Sequence, residues 1–363
     1  MRIDAGMRSV VGKRLRDILS DEPVVVIDVG ARGTPHGLPN LRPFTRVLGF
    51  EPDSDECKRL NDLPNEAHGL LQMQILPVAL ASEHGMVTIN VCKNHYASSL
   101  LLPNPVPTEP LIITGVNTVE DLEVVDTFQC EATTLDRVVA DQGLTNVDFV
   151  KLDTQGSELD IIEGGASTFR AKVLLANIEV EFIEMYKDQP LFGDVDRRMQ
   201  ELGFVLLDLN PLLEGKPKGS IVAGRGQLIF SEALYMRDVL ASESEFLEKA
   251  SLATRVRLIL MLEAEGFLSH AVEIAHRSVA LDTELFESLA EVIPRRNRDH
   301  HRNYFRHGLT TRLSAGAMKL YGGIPSPLKT IYRKSPVKQL RTRWIKRRIL
   351  ERTDERPPGS QRY

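Results

Sequence analysis

The stretch that most limits how this chain can fold runs from residue 147 to residue 166. It opens with apolar residues typical of a strand buried in a parallel sheet, namely Val147, Phe149, Val150 and Leu152. A dense polar turn follows, and a helical pattern begins near Leu159. Because ligands of open α/β sheets bind beyond the carboxyl ends of the strands, we expect chemistry at this turn, around Asp153.

A second strand end lies upstream, where residues 24–29 lead from an apolar run through Asp28 to Gly30 and Gly33. Glycine lets the backbone turn tightly and approach a ligand closely. The next apolar strand ends in Glu51, which is placed to accept hydrogen bonds from ribose hydroxyls. Both features, at the spacing of one βαβ unit, indicate an adenosine-containing ligand.

The glycine pattern differs from the G-x-G-x-x-G fingerprint of dinucleotide-binding proteins. Arg32 stands where the middle glycine would be, and Pro35 and Pro39 delay the helix that would cradle a pyrophosphate. S-adenosylmethionine fits better, because its amino-acid end needs close backbone approach and carries no phosphate. The candidate residues for binding this cofactor are Asp28, Gly30, Ala31, Gly33, Glu51, Pro52 and Ala79.

From about residue 24 to residue 230, the chain resembles the FkbM-type S-adenosylmethionine-dependent methyltransferases. The matching segments are Ile27–Ala31, Gly49–Pro52, Pro77–Leu80, Ser98–Leu100, Thr134–Asp136, Val147–Asp160, Glu179–Phe182 and Tyr186. The run Lys151–Glu158 is the most specific, and Arg32 is a departure, because the family more often has Asn there. The resemblance implies an O-methyltransferase acting on hydroxyls of sugars, glycans or polyketides.

The expected fold is α/β, a doubly wound Rossmann-like sheet of the class I methyltransferase type, followed by an α-helical C-terminal extension. Beyond residue 233, Ala, Leu and Glu dominate, and residues 258–281 predict a helical hairpin that turns at Gly266. The predicted parts are an N-terminal helix (1–22), the methyltransferase domain (23–232), the helical extension (233–325) and a basic tail (326–363).

Methyl transfer to a hydroxyl needs a positioned oxygen and a group that accepts its proton. Asp153 is the first candidate for this role, Glu181 the second and His95 the third. Asp153 has an alternative role as a helix cap, and it could also hold a divalent cation. No spaced set of carboxylates demands a metal, so no metal site is predicted.

The acceptor is expected near residues 93–118, a long irregular segment typical of a lid or binding loop. Strand alternation places Glu179 and Glu181 on one face, where dry carboxylates would be costly without a partner, water or a substrate. The candidate residues for binding the substrate are Ser98, Ser99, Gln155, Glu158 and Glu179.

The composition limits the other possibilities. With 363 residues, the chain is long enough for about two domains, and its net charge of −5 argues against a nucleic-acid partner. The three cysteines are scattered, which fits a reduced, cytoplasmic protein without a zinc site. Two histidines of the extension, His270 and His276, and the cluster at 299–301 are expected to be packing or surface residues.

Residues 329–363 are strongly basic, and Trp344 stands among apolar residues at helical spacing. This pattern is compatible with peripheral contact with an anionic membrane surface, at the inner face of a membrane, or with a solvated tail. Two other functions stay open at this point. One is a nicotinamide-dependent oxidoreductase on a Rossmann fold, and the other is a non-catalytic glycan- or protein-binding module. The oligomeric state is open as well.

Overall fold

In the computed structural model, the described residues are 10–33, 36–38, 40–113, 119–219 and 224–294. The chain divides into two compact units, residues 1–294 and 295–363, and only the first contains described residues. The second part of the predicted extension, the cluster at 299–301 and the basic tail therefore lie outside the described residues, as do Pro35 and Pro39.

The strands are β1 (Val24–Val29), β2 (Thr45–Phe50), β3 (Gln72–Leu76), β4 (Ala79–Leu80), β5 (Gly85–Cys92), β6 (Leu111–Ile113), β7 (Val124–Thr133), β8 (Phe149–Leu152), β9 (Leu175–Glu181), β10 (Phe204–Pro217) and β11 (Gln227–Arg237). The main sheet has eight strands in the order β3-β2-β1-β8-β9-β11-β10-β6. The first five of these are parallel, and β11, β10 and β6 pair antiparallel. The parallel strands therefore end at one edge, where the turns after β1, β2, β8 and β9 meet.

The helices are α1 (Val10–Asp21), α2 (Ser54–Asn61), α3 (Asn65–His68), α4 (Leu135–Asp141), α5 (Glu158–Gly164), α6 (Ala166–Ala171), α7 (Phe192–Glu201), α8 (Phe246–Lys249), α9 (Leu252–Glu265) and α10 (Leu268–Ser278). Residues 283–294 are also helical. One face of the sheet packs against α4, α5, α6 and α7, and the other against α1, α9, α10 and the last helix. Helices on both faces of a largely parallel sheet make the fold doubly wound, which confirms the predicted fold class.

Residues 72–80 are divided between two sheets. β3 belongs to the main sheet, whereas β4 pairs with β7 in a small sheet of order β4-β7-β5. Pro77 and Val78 separate β3 from β4. Proline has no N–H for a ladder hydrogen bond, so Pro77 is a natural point for the chain to leave the main sheet.

The extension packs directly on the sheet. Arg257 of α9 is buried and donates to Asp148, just before β8, across 2.8 Å, and it also donates to Glu22 after α1. At the other end of α9, Glu265 lies close enough to Glu232 of β11 for their charges to interact. The predicted boundary at 232/233 falls inside β11, and the described helices of the extension cover one face of the sheet. Among the described residues, no helix is both long and apolar enough to cross a membrane.

Candidate functional site

A cavity of about 700 Å³ opens at the carboxyl ends of the parallel strands. Its floor comes from the turns after β1, β2, β8 and β9, and one wall comes from β5 and the short 3-10 helix His95–Ala97. The predicted residues that line it are Gly30, Glu51, Pro52, Ala79, His95, Ser98, Ser99, Asp153, Gln155, Glu179 and Glu181. The structure thus brings together residues that are far apart in the sequence. They form two unlike halves.

The first half lies over β1 and β2. Gly30 has φ +77°, and a Cβ built there would lie 1.9 Å from the carbonyl oxygen of Asp153, so only glycine fits. Glu51 is buried at the end of β2, where its Oε1 accepts a hydrogen bond from Asp53 N at 2.9 Å. The rest of this half is an apolar slot lined by Phe50, Pro52, Val78, Ala79, Leu80, Ile89, Val91 and Phe128.

Arg32 forms a network of ion pairs in this half of the cavity. From the sequence, Arg32 stood out only as a departure from the family pattern. Its guanidinium lies 2.7 Å from Asp53 Oδ2 and 3.6 Å from Glu51 Oε1. Burial raises the pKa of Glu51, while the backbone hydrogen bond from Asp53 and the charge of Arg32 oppose that rise. Arg32 therefore helps to keep a buried carboxylate ionised.

Three predicted cofactor residues lie outside the cavity lining. Asp28 is buried beneath it, with Oδ2 accepting from His36 N at 2.6 Å, and burial raises its pKa. Ala31 packs in a core cluster against α2, and Gly33 N donates to Glu56 at 3.0 Å. These positions shape the turn after β1, and the cavity surface comes from their neighbours.

The second half of the cavity is acidic and lies over β8 and β9. Asp153 is held from two sides, because Lys151 Nζ donates to Oδ2 at 2.9 Å and Gln155 Nε2 donates to Oδ1 at 3.1 Å. Burial alone would raise the pKa of Asp153, but the Lys151 ammonium, with its hydrogen bond and that from Gln155, lowers it. Asp153 is therefore a carboxylate with a fixed direction and low basicity.

The two glutamates of β9 differ from Asp153. Burial raises the pKa of Glu179 well above its ordinary value, and the charges of Asp153 and Glu181 raise it further. Burial likewise raises the pKa of Glu181 strongly, together with the charge of Glu158. Glu181 is only 3% exposed and faces the cavity. The acidic half thus combines Asp153, whose pKa is lowered, with Glu179 and Glu181, whose pKa values are raised.

Gln155, predicted to bind the substrate, uses both ends of its amide within the protein. Its Nε2 donates to Asp153 and to Glu179, and its Oε1 lies 3.0 Å from the hydroxyl of Tyr186. The residue adopts φ +61°, which is uncommon for a side chain other than glycine. Gln155 therefore positions the two carboxyl groups of Asp153 and Glu179.

Glu158, the other predicted substrate residue of this turn, lies outside the cavity lining. Its Oε1 accepts from Thr154 N at 2.6 Å, and its Oε2 accepts from Gly156 N at 2.9 Å. Ser157 is the N-cap residue of α5, without a side-chain cap bond, and it lines the cavity. The buried side chain of Glu158 therefore stabilises the turn that follows Asp153, through its hydrogen bonds to Thr154 and Gly156.

The described part of segment 93–118 is fastened along its length. Ser98 Oγ accepts from Cys92 N, and Ser99 Oγ donates to the carbonyl oxygen of Gln155 at 2.8 Å. Further along, Asn104 N donates to the Met185 carbonyl at 2.7 Å. These bonds hold the described part against the cavity, and the role of the segment as a lid or binding loop stays a prediction. His95 lies exposed at the rim.

Lys151 and Tyr96 line the cavity but were absent from the predicted site. A lysine inside an otherwise apolar strand was the available signal for Lys151, whereas nothing in the sequence marks Tyr96. Among the described residues, no group of three or more His, Cys, Asp or Glu side chains is arranged to hold a metal ion.

The family comparison agrees with this geometry. Residues 28–206 match the model of the methyltransferase FkbM domain. No curated protein matches the chain significantly.

Among solved structures, the chain is similar to a methyltransferase FkbM from Methylobacillus flagellatus KT, with 12% identity and a TM-score of 0.31, over 59% of this chain and 43% of that one. It is also similar to magnesium protoporphyrin IX methyltransferase from Synechocystis PCC 6803 (10%, TM-score 0.27, over 62% and 77% of the chains). A TehB-like SAM-dependent methyltransferase from Corynebacterium glutamicum ATCC 13032 gives 12% identity and a TM-score of 0.25, over 62% and 85%.

The family of the chain is therefore assigned from the family model and from the arrangement of the sheet. The match starts at Asp28 in β1, includes the turns after β2, β8 and β9, and ends in β10. It thus contains every strand end that forms the cavity floor, and the family predicted from the sequence is confirmed. The chain belongs to the FkbM methyltransferase family through residues 28–206.

Proposed function

We propose that this methyltransferase acts on a hydroxyl group of a sugar or glycan, or of another secondary metabolite. The observation that carries the proposal is the acidic half of the cavity, where Asp153, Glu179 and Glu181 face one space. Ionised carboxyl groups accept hydrogen bonds from hydroxyls, and protonated ones also donate them. The acidic half of the cavity therefore suits an acceptor with several neighbouring hydroxyls.

The family is S-adenosylmethionine-dependent, and this cofactor supplies a methyl group on a positively charged sulfur when it is bound. The residues of the first half fit it. Gly30 lines the cavity with its backbone, and Glu51 is placed to accept hydrogen bonds from ribose hydroxyls. The apolar slot beside Ala79 and Phe128 suits an adenine ring.

Asp153 orients the acceptor. Its two oxygens are fixed by Lys151 and Gln155, so the remaining lone pairs point in a defined direction and can accept the hydroxyl hydrogen. Holding a reacting oxygen in place supplies a large part of the rate of a displacement reaction. The low basicity of Asp153 suits it to this orienting role.

Glu181 accepts the proton. As the acceptor oxygen forms its new bond to carbon, its O–H proton becomes strongly acidic and moves to a neighbouring carboxylate. Burial gives Glu181 a raised pKa, so its ionised form is a stronger base than the carboxylate of Asp153. This assignment requires activity to increase with pH as Glu181 ionises. His95 is exposed at the rim of the cavity, so in this proposal it contacts the acceptor and takes no part in proton transfer.

The first experiment measures binding by calorimetry with S-adenosylhomocysteine and with NAD. Binding of the first alone is expected, since the family assignment goes against the nicotinamide-dependent alternative. Binding without turnover on any acceptor would favour the non-catalytic module.

The second experiment follows transfer of labelled methyl to a panel of sugars, glycosides and matched amines. Asp153→Asn should lower turnover by ~100-fold, the scale for a reacting group that is misplaced by about 1 Å. Asp141→Asn, an exposed position on α4, is the matched control and should leave turnover unchanged. Methylation of the amines but of none of the hydroxyls would refute the proposed acceptor.

A further inference from the structure

Lys151 is a cation in the middle of the sheet, at the point where the two halves of the cavity meet. In the register of the strands it pairs with Asp28 of β1 on one side and with Asn177 of β9 on the other. It lies on the same face as Phe149, the face that α9 covers. Its side chain is 17% exposed and lines the cavity floor.

Carboxylates surround this ammonium. Asp153 Oδ2 lies 2.9 Å from Nζ, and the charges of Asp28 and Glu232 also act on it. Burial alone would lower the pKa of Lys151, but these three carboxylates raise it above the ordinary value for lysine. The ammonium therefore stays charged at neutral pH.

Among the described residues, Lys151 is the cation that acts most strongly on Asp153. The carboxyl groups that face it come from four other elements, and they are Asp28 of β1, Glu158 of α5, Glu179 and Glu181 of β9, and Glu232 of β11. Like charges at this density favour protonation of one member of the group. Gln155 donates to Asp153 and to Glu179, and its hydrogen bond lowers the pKa of Asp153 less than the charge and the hydrogen bond of Lys151 do.

We propose that Lys151 is a positioning residue of the methyltransferase. Its ammonium keeps Asp153, rather than Glu179, as the ionised member of the pair and fixes the direction in which that carboxylate faces the acceptor. This inference rests on the proposed function in one respect only, the role of Asp153 toward the acceptor. The charge assignment itself concerns the protein without any ligand.

The first test is a carboxyl titration by NMR of protein labelled with ¹³C-aspartate, and it uses neither acceptor nor methyl donor. The Asp153 resonance is identified by its loss in Asp153→Asn. In the unmodified protein its midpoint is expected below the ordinary range of aspartate, and in Lys151→Met it should move to higher pH. Lys58→Met, an exposed lysine on α2, is the matched control and should leave the midpoint in place.

If Lys151→Met does not fold, the unmodified protein still decides the question. A midpoint for Asp153 at or above the ordinary aspartate range would overturn the inference. So would an unmoved midpoint in a folded Lys151→Met protein. A failure of the proposed acceptor class would leave both results untouched, which separates the two proposals.

The second test is a double-mutant cycle on turnover. Lys151→Met should lower turnover by ~100-fold, as Asp153→Asn does, because both lose the orientation of the acceptor, with affinity for S-adenosylhomocysteine changed by less than about twofold. If Lys151 acts through Asp153, the double variant should be no slower than Asp153→Asn alone. Losses that multiply in the double variant would show an independent role and overturn the inference.

Discussion

Replacing Gly30 by alanine tests how closely the ends of β1 and β8 are joined. The added Cβ would lie 1.9 Å from the carbonyl oxygen of Asp153, far inside normal contact, and the obstacle is backbone. A left-handed conformation costs alanine about 1–2 kcal/mol. Relief of the clash must also strain the hydrogen bonds from Gly30 N to Phe50 O (3.2 Å) and from Asp153 N to Val29 O (3.1 Å).

Each of those bonds contributes about 1 kcal/mol, so Gly30→Ala should lower the free energy of unfolding by about 2–4 kcal/mol. Urea denaturation measures this loss. Gly143 has φ +60° with nothing within 4 Å of an added Cβ, so Gly143→Ala carries the conformational cost alone. Gly85 has neither feature, and its alanine variant should be neutral or slightly stabilised.

The difference between Gly30→Ala and Gly143→Ala isolates the contact with Asp153. Because that contact also sets the cavity floor, affinity for S-adenosylhomocysteine should fall in Gly30→Ala and stay normal in the two controls. A Gly30→Ala protein as stable as Gly143→Ala, with normal affinity, would refute the reasoning.

Three further predictions follow from the buried charges. Glu51→Gln should weaken binding of S-adenosylhomocysteine by about 1–3 kcal/mol. Since burial raises the pKa of Glu51, calorimetry should show the unmodified protein losing affinity as the pH falls, whereas the variant changes little. Burial also raises the pKa of Glu181, so the unfolded chain ionises first and stability falls as the pH rises above about 4.5. Urea denaturation should therefore find Glu181→Gln more stable than the unmodified protein at pH ~8 and equal to it at pH ~4. Arg257→Leu leaves Asp148 buried without its cation, and thermal or urea unfolding should show a loss of about 3–5 kcal/mol, with the exposed Arg197→Leu as control.

The sequence predicted the position of a residue correctly where the local pattern alone determines that position. The turn after β1 needs glycine at residue 30, and the acidic end of β2 at Glu51 follows directly from strand length and spacing. Both lie in the cavity as expected. Strand alternation likewise placed Glu179 and Glu181 on one face, because period two is a local property.

The roles that could not be predicted depend on partners distant in sequence. Gln155 has the residue type of a substrate contact, but Tyr186 and Glu179 occupy its amide. Glu158 could equally face a ligand or its own turn, and only the hydrogen bonds to Thr154 and Gly156 decide. The periodicity of α9 indicates an apolar face without saying which surface it covers.

The packing of α9 and α10 has a consequence for exchanging parts between related enzymes. A chain cut at residue 232 would end within β11 and lack the helices α9 and α10, which now cover Val26, Phe149 and Leu175 of the sheet. Such a fragment would present a broad apolar surface to water and to its own copies. A chimera that is meant to keep the acidic half of the cavity should therefore contain residues 1–294 as one unit.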